Sequence, residues 1–205
     1  MDTAPTKVLP GYGAFWTIAP SLIHDARPAR LAESTPFRWS VDDPELGTVP
    51  LQGWLDRPRG QTDTLYILVH GLGGGSDSGY LRHAAKNLTE TGAAVLRVGL
   101  RGTDGIAPDF YHAKLTVDLH AAIAHPRLVD YARIFVVGFS LGGQMALSLA
   151  TEPLDERVMG VAAVCPPLDL AAAQSHLDGQ RFSVFRPYVL KNMRRQYRRI
   201  HEVAQ

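Results

Sequence analysis

Cysteine occurs once in this 205-residue chain, at position 165. No internal disulfide can form, which suits a reducing compartment and gives a cytoplasmic expectation. No run of about 18 apolar residues is present, so the sequence offers no candidate transmembrane helix. The opening Met1-Asp2-Thr3-Ala4-Pro5 lacks a basic segment followed by an apolar one, so no signal peptide is expected. An excess of charge is absent as well. The 21 Lys and Arg against 20 Asp and Glu leave a formal net charge of +1, which gives no reason to expect a nucleic-acid partner. Internal repeats and low-complexity tracts are also lacking.

What is there is an ordinary globular composition, 45% apolar and 20% charged, with a length that suits one domain. Residues 1–47 read as an irregular segment, with prolines at 5, 10, 20, 28, 36 and 44. Within it, Gly11 to Ile18 is apolar and aromatic. It is read as packing on the domain surface, with an acyl-binding groove as the alternative. Thr48 to Asp56 alternates apolar and polar residues, as a half-buried antiparallel strand does. Thr64 to Val69 is continuously apolar, as a central parallel strand is. Ser78 to Thr91 reads as a helix with Leu81, Ala84, Ala85 and Leu88 on one face, ended by Gly92. Ala93 to Leu100 is a strand, Lys114 to His125 a helix, and Arg133 to Val137 a strand. Val158 to Cys165 reads as another strand buried on both faces. Strands alternating with helices imply an α/β fold with a mainly parallel sheet.

Gly138-Phe139-Ser140-Leu141-Gly142 follows the strand that ends near Val137 and precedes a helical run beginning at Gly143. This is G-x-S-x-G in a strand–turn–helix setting, the arrangement of a nucleophile elbow. Gly138 and Gly142 lack a Cβ, so strand and helix can approach closely and lift the hydroxyl clear of the sheet. The Leu141 N–H, at the helix start, has no intrahelical acceptor and can meet an anion. The alternative is a structural serine in a Gly-rich turn.

A serine nucleophile needs a base, a group to orient that base, and donors for the oxyanion. His70-Gly71-Leu72-Gly73-Gly74 looks like the HGGG-type loop that supplies the second donor, assigned here to the Leu72 N–H. The loop lacks the Lys-Ser/Thr ending of a P-loop and does not fit G-x-G-x-x-G, so no nucleotide is expected. Chain order puts the acid and the histidine after the serine. Only His176 and His201 follow Ser140, both in a helical stretch. No metal site is expected, because His120 and His125 are badly spaced for one helix face and H-E-x-x-H is absent. No cofactor is implied.

From Leu168 the pattern is helical. Phe185, Val189, Met193, Ile200 and Val203 mark one face, and Arg181, Arg186, Lys191, Arg194, Arg195, Arg198 and Arg199 occupy much of the rest. A solvated helix with its apolar face on the domain is the first reading. Peripheral contact with a membrane surface and an interface with another chain stay open beside it.

His70-Gly71-Leu72-Gly73-Gly74, Gly79-Tyr80-Leu81-Arg82-His83, Leu100-Arg101-Gly102, Tyr111-His112-Ala113, Gly138 to Gly143 and Pro167-Leu168-Asp169-Leu170 together carry a likeness. The chain resembles the YheT-like branch of the α/β-hydrolases, bacterial esterases and animal abhydrolase-domain lipases, over residues 8 to 203. The resemblance implies a serine esterase acting on small-molecule or lipid esters, with Ser140 as nucleophile and Leu72 and Leu141 as the oxyanion hole. It also implies that the strands carrying the acid and the histidine would follow Gln205. The expected organisation is an irregular segment 1–47, a hydrolase core 48–165 and the start of a helical lid region 166–205. A catalytically dead fragment and a binding module that keeps the pocket are the alternatives. Without later strands, the edge at Val158 to Val164 would stay uncovered and invite association.

Overall fold

The computed structural model describes residues 29–179 and 185–203. The segment Gly11 to Ile18 and Arg181 lie outside the described residues. Six strands form one sheet: β1 (Glu33–Asp43), β2 (Gly47–Arg57), β3 (Thr64–Val69), β4 (Ala94–Val98), β5 (Arg133–Phe139) and β6 (Val158–Val164). Their spatial order is β1-β2-β4-β3-β5-β6. β1 and β2 pair antiparallel, as do β2 and β4, and the pairs β4–β3, β3–β5 and β5–β6 are parallel. The described helices are α1 (Gly79–Glu90), α2 (Val117–Ile123), α3 (Leu141–Leu149), α4 (Leu170–Gly179) and α5 (Phe185–Val203).

The continuous apolar run of β3 has its expected cause. Leu65, Ile67 and Val69 enter one core with Phe37, Leu96, Ile134 and Met145. Leu68 points the other way, into a cluster with Leu81, Ala85 and Val95, against which Tyr66, Ala84 and Leu88 pack. Period-two alternation therefore loads both faces of the strand, and helices cover both. Gly92, with φ of 91°, follows the end of α1.

Two expectations need correction. Residues 33–43 are not irregular but form β1, paired along its whole length with β2. Phe37, Trp39 and Val41 alternate into the core, which outweighs the breaks suggested by Pro36 and Pro44. Pro36 is tolerated because β1 is an edge strand. Second, β6 is not buried on both faces. It is the outer strand on its side of the sheet, with Met159 60% and Val164 42% exposed. Among the described residues, α3 is the helix that packs most closely against it.

Two buried arginines brace the antiparallel side of the sheet. Arg97 on β4 donates through Nε to Asp56 Oδ2 (2.6 Å) and through Nη2 to Asp56 Oδ1 (3.2 Å). Its Nη1 reaches the Ser76 carbonyl (2.6 Å) and Asp77 (2.9 Å). Arg101, just past β4, makes a bidentate pair with Asp118 of α2 and also donates to Asp43 (2.7 Å). Such fork geometry satisfies most of each guanidinium's donors, which burial requires. Removing one partner strands the other charge. Asp56→Ala is therefore expected to lower stability by about 3–5 kcal/mol in urea unfolding. Residues 1–205 taken alone, with the β6 edge uncovered, are expected to self-associate as concentration rises. Light scattering should show this, and Met159→Lys should reduce it, as a charge on an edge strand does.

Candidate active site

The site lies at the C-terminal ends of the parallel strands. β5 ends at Phe139, and Ser140 turns the chain into α3 with φ of 51° and ψ of −120°. A left-handed φ is strained for a serine. Two hydrogen bonds and two close backbone approaches hold it there. The Ser140 N–H donates to the Val164 carbonyl (2.9 Å), and the Gln144 N–H returns to the Ser140 carbonyl (3.1 Å). A Cβ on Gly138 would collide with the Gly142 carbonyl, and one on Gly142 would lie 2.5 Å from the Val69 carbonyl oxygen. Strand and helix thus touch backbone to backbone, and the serine stands exposed at the apex.

The loop after β3 lies against this serine. A Cβ on Gly71 would sit 3.0 Å from Ser140 Cβ and 3.6 Å from its Oγ. Most of the amides in the loop are committed. Gly71 N–H donates to Tyr80 Oη (2.9 Å), Gly73 N–H to Tyr111 Oη (2.7 Å), Gly74 N–H to the Gly71 carbonyl (3.0 Å) and Gly75 N–H to Ser78 Oγ (3.0 Å). Leu72 is the exception. Among the described residues, nothing accepts from its N–H or from that of Leu141, the first residue of α3. Ser140 and Leu72 line one cavity, and Leu141 follows the serine directly.

His70 supports the loop from below. It is fully buried; its Nδ1 lies 2.8 Å from the Gly71 carbonyl, and its Nε2 lies 3.2 Å from the Leu100 nitrogen. A carbonyl can only accept, so Nδ1 carries the proton and Nε2 accepts from the Leu100 N–H. Both ring nitrogens are used by the backbone in the neutral form. Burial pushes the His70 pKa down from 6.5 to about 4. Burial likewise pushes the Tyr111 phenol up, so it stays a neutral partner for Gly73.

The cavity in front of Ser140 holds about 810 Å³. Trp54, Tyr80, Phe139 and Val164 give it an apolar wall, and Cys165 lies beside them. Val189, Asn192, Arg195, Gln196 and Arg199 of α5 form the opposite side. Gln196, 3% exposed, donates through Nε2 to the Gly74 carbonyl (2.6 Å), and Ile200 packs where a Cβ on Gly102 would fall. Among the described residues, no histidine lines this cavity. His176 and His201 are exposed on α4 and α5. Tyr80 and Tyr111 lie within the motifs quoted above, but the sequence does not mark them as clamps; it shows Val189, Arg195 and Arg199 only as parts of an amphipathic helix, and nothing local marks Gln196.

A strand–serine–helix elbow, a glycine loop beside it and a mostly parallel sheet flanked by helices define the α/β-hydrolase fold. The chain belongs to the alpha/beta hydrolase family, whose model matches residues 66–203. It is 30% identical over 112 residues to the embryogenesis-associated protein EMB8 of Picea glauca, a match covering 52% of this chain and 24% of that protein. The chain thus spans about a quarter of the length of that curated relative. Among solved structures, an α/β serine hydrolase without a lid from Xanthomonas campestris superposes with a TM-score of 0.56 at 25% identity, covering 70% of this chain and 66% of that one. An esterase from Pyrococcus furiosus gives 0.61 at 20% identity, covering 80% and 68%, and attests the fold.

The His70 environment sets a pH dependence. Its folded pKa lies below its unfolded one, so the unfolded chain binds more protons between them. The neutral ring's contribution is complete above 6.5 and is lost as pH falls towards about 4. That gap corresponds to about 3 kcal/mol. In urea unfolding, the stability advantage of the wild type over His70→Asn should shrink by about that amount between pH 7 and pH 4. A constant difference would contradict the assignment.

Proposed function

We propose that this chain carries the nucleophilic half of a serine esterase, which cleaves carboxylic esters through an acyl-enzyme on Ser140. The observation that carries this reading is the pairing of an exposed, left-handed Ser140 with a loop whose Leu72 N–H alone is uncommitted among Gly71 to Gly75. In this reading Ser140 Oγ attacks the acyl carbon and gives its proton to a base. The carbonyl oxygen becomes an oxyanion between the Leu72 and Leu141 amides. Collapse expels the alcohol, which takes a proton back. Water then repeats the sequence on the acyl-enzyme and releases the acid.

We further place the chain in the YheT-like branch, on the motifs quoted above. There the acid and histidine of the triad would lie on strands following the helices that correspond to α4 and α5. Residues 1–205 then supply nucleophile and oxyanion donors, and the rest of a longer protein supplies the base. The absence of any histidine from the cavity lining, among the described residues, agrees with this. Residues 166–205 are read as the start of a lid region, and the substrate as a small-molecule or lipid ester. A cytoplasmic location belongs to the same proposal and rests on the single cysteine, Cys165. Among the described residues, no helix is long and apolar enough to cross a membrane.

The test is chemical. A fluorophosphonate probe should label Ser140 in residues 1–205 slowly, and Ser140→Ala should abolish labelling. Loss of the base in a serine triad costs on the order of 10⁶ in kcat, with about 10³–10⁴ over water remaining. Hydrolysis of p-nitrophenyl esters by residues 1–205 should therefore be barely above background. Turnover of about 1 s⁻¹ or faster that vanishes in Ser140→Ala would place a base within residues 1–205, with His176 and His201 the first to replace. Labelling that survives in Ser140→Ala would overturn the nucleophile assignment.

A further inference from the structure

The α5 side of the cavity has a chemistry that ester hydrolysis alone does not require. Arg195 and Arg199 stand one turn apart on α5, and both contribute to the cavity wall. Among the described residues, neither guanidinium makes an ion pair or a hydrogen bond. Among the described residues, the other charged groups lining the same cavity are Asp77 and Asp104. Asp77 is already occupied by Arg97 (2.9 Å) and Arg82 (3.1 Å). Asp104 feels Arg199 electrostatically, and burial nevertheless pushes its carboxyl pKa up. Two cations without an ion pair thus face one carboxylate, Asp104, across the cavity.

Gln196 adds a requirement that an anion alone does not meet. Gln196 lies between the two arginines and is buried. Its Nε2 must be the donor to the Gly74 carbonyl, which leaves Oε1 as a buried acceptor without a partner. An unpaired buried acceptor costs free energy unless a ligand or water supplies a donor. The wall opposite, with Trp54, Tyr80, Phe139 and Val164, is apolar or aromatic. The cavity is therefore two-sided, apolar near Ser140 and basic along α5.

We propose that the ester taken by this site carries an anionic group, a carboxylate or a phosphate, that binds Arg195 and Arg199 while its apolar part lies against Trp54 and Phe139. This rests on the esterase reading for the scissile bond, but the anion subsite can be measured without turnover. Guanidinium forks suit both kinds of oxyanion. A pair of charge-assisted contacts in a partly enclosed cavity is expected to favour an anion about tenfold or more over a neutral analogue.

Calorimetric binding to the full 205-residue chain tests this with hexyl phosphate, hexanoate and hexanol. Wild type should bind at least one of the two anions about tenfold or more tighter than hexanol, with the preference falling as salt is raised. The stronger of the two anions identifies the group. The double variant Arg195→Gln/Arg199→Gln should lose that preference with hexanol affinity unchanged, and Arg195→Lys/Arg199→Lys should keep part of it. Both arginines are exposed, so the thermal midpoints of these variants should match wild type. Equal affinity for anions and hexanol in wild type, or anion binding untouched in the Gln variant, would overturn the proposal. So would arginine-dependent binding to phosphatidylglycerol vesicles without preference among the small ligands, which would assign these side chains to a membrane surface. Ser140→Ala should retain the anion preference. Fluorophosphonate labelling that survives in Ser140→Ala, with the anion preference intact, would thus overturn only the catalytic reading, and Ser140-dependent labelling without an anion preference only this one.

Discussion

The contact on which the site depends is between backbones with no side chain between them. Gly142 lies so close to the end of β3 that a methyl group there would meet the Val69 carbonyl oxygen at 2.5 Å. Gly138 is pressed against Gly142 in the same way. These two approaches bring β3, β5 and α3 to one point. They leave Ser140 little choice but the left-handed conformation, a strain of order 1–3 kcal/mol that the surrounding ladder sustains. They also place the β3 loop beside the hydroxyl, because the strand end that touches Gly142 runs directly into His70 and Gly71. One steric constraint therefore sets both the exposure of the serine and its distance from the oxyanion donors.

Around that point the polar groups are arranged so that the loop has almost no freedom of its own. Tyr80 and Tyr111 hold alternate amides from one side, and His70 holds the Gly71 carbonyl from below. Farther out, Arg97 links β4 to β2 and to Ser76 and Asp77, just past the loop. An oxyanion donor fixed before substrate arrives does not have to reorganise during the reaction, which is the main source of its electrostatic benefit. The buried ion pairs thus serve geometry at least as much as stability, since a hydrophobic replacement of similar volume is often no less stable.

Much of this was legible in the sequence, because it is written in local patterns. The elbow is specified by glycines two residues either side of Ser140, and the core strands by apolar runs. β1 was obscured because Pro36 and Pro44 drew attention away from the alternation of Phe37, Trp39 and Val41. The exposure of β6 was not legible, because an apolar strand reads the same whether its outer face is covered or bare. The α5 contribution lay beyond local pattern altogether. Gln196 falls in the row of Val189, Met193 and Ile200, where periodicity calls for an apolar side chain. Only its reach to Gly74 explains why an amide stands there.

That reach has a consequence for assembly. Gln196 and Gly74 are 122 residues apart in the chain. The elbow, by contrast, is made from neighbours, and its parent strand pairs with β3 about 70 residues away. Closing long loops is entropically costly, so distant contacts form late in folding. On a ribosome, which releases about 5–20 residues per second, the serine turn can assemble seconds before α5 has emerged. During that interval the cavity has its apolar wall and its nucleophile but not its basic side, and Trp54 and Phe139 face solvent. Docking of α5 therefore adds the basic side of the pocket and shelters its apolar wall, so the nascent chain is at its most adhesive just before that helix docks.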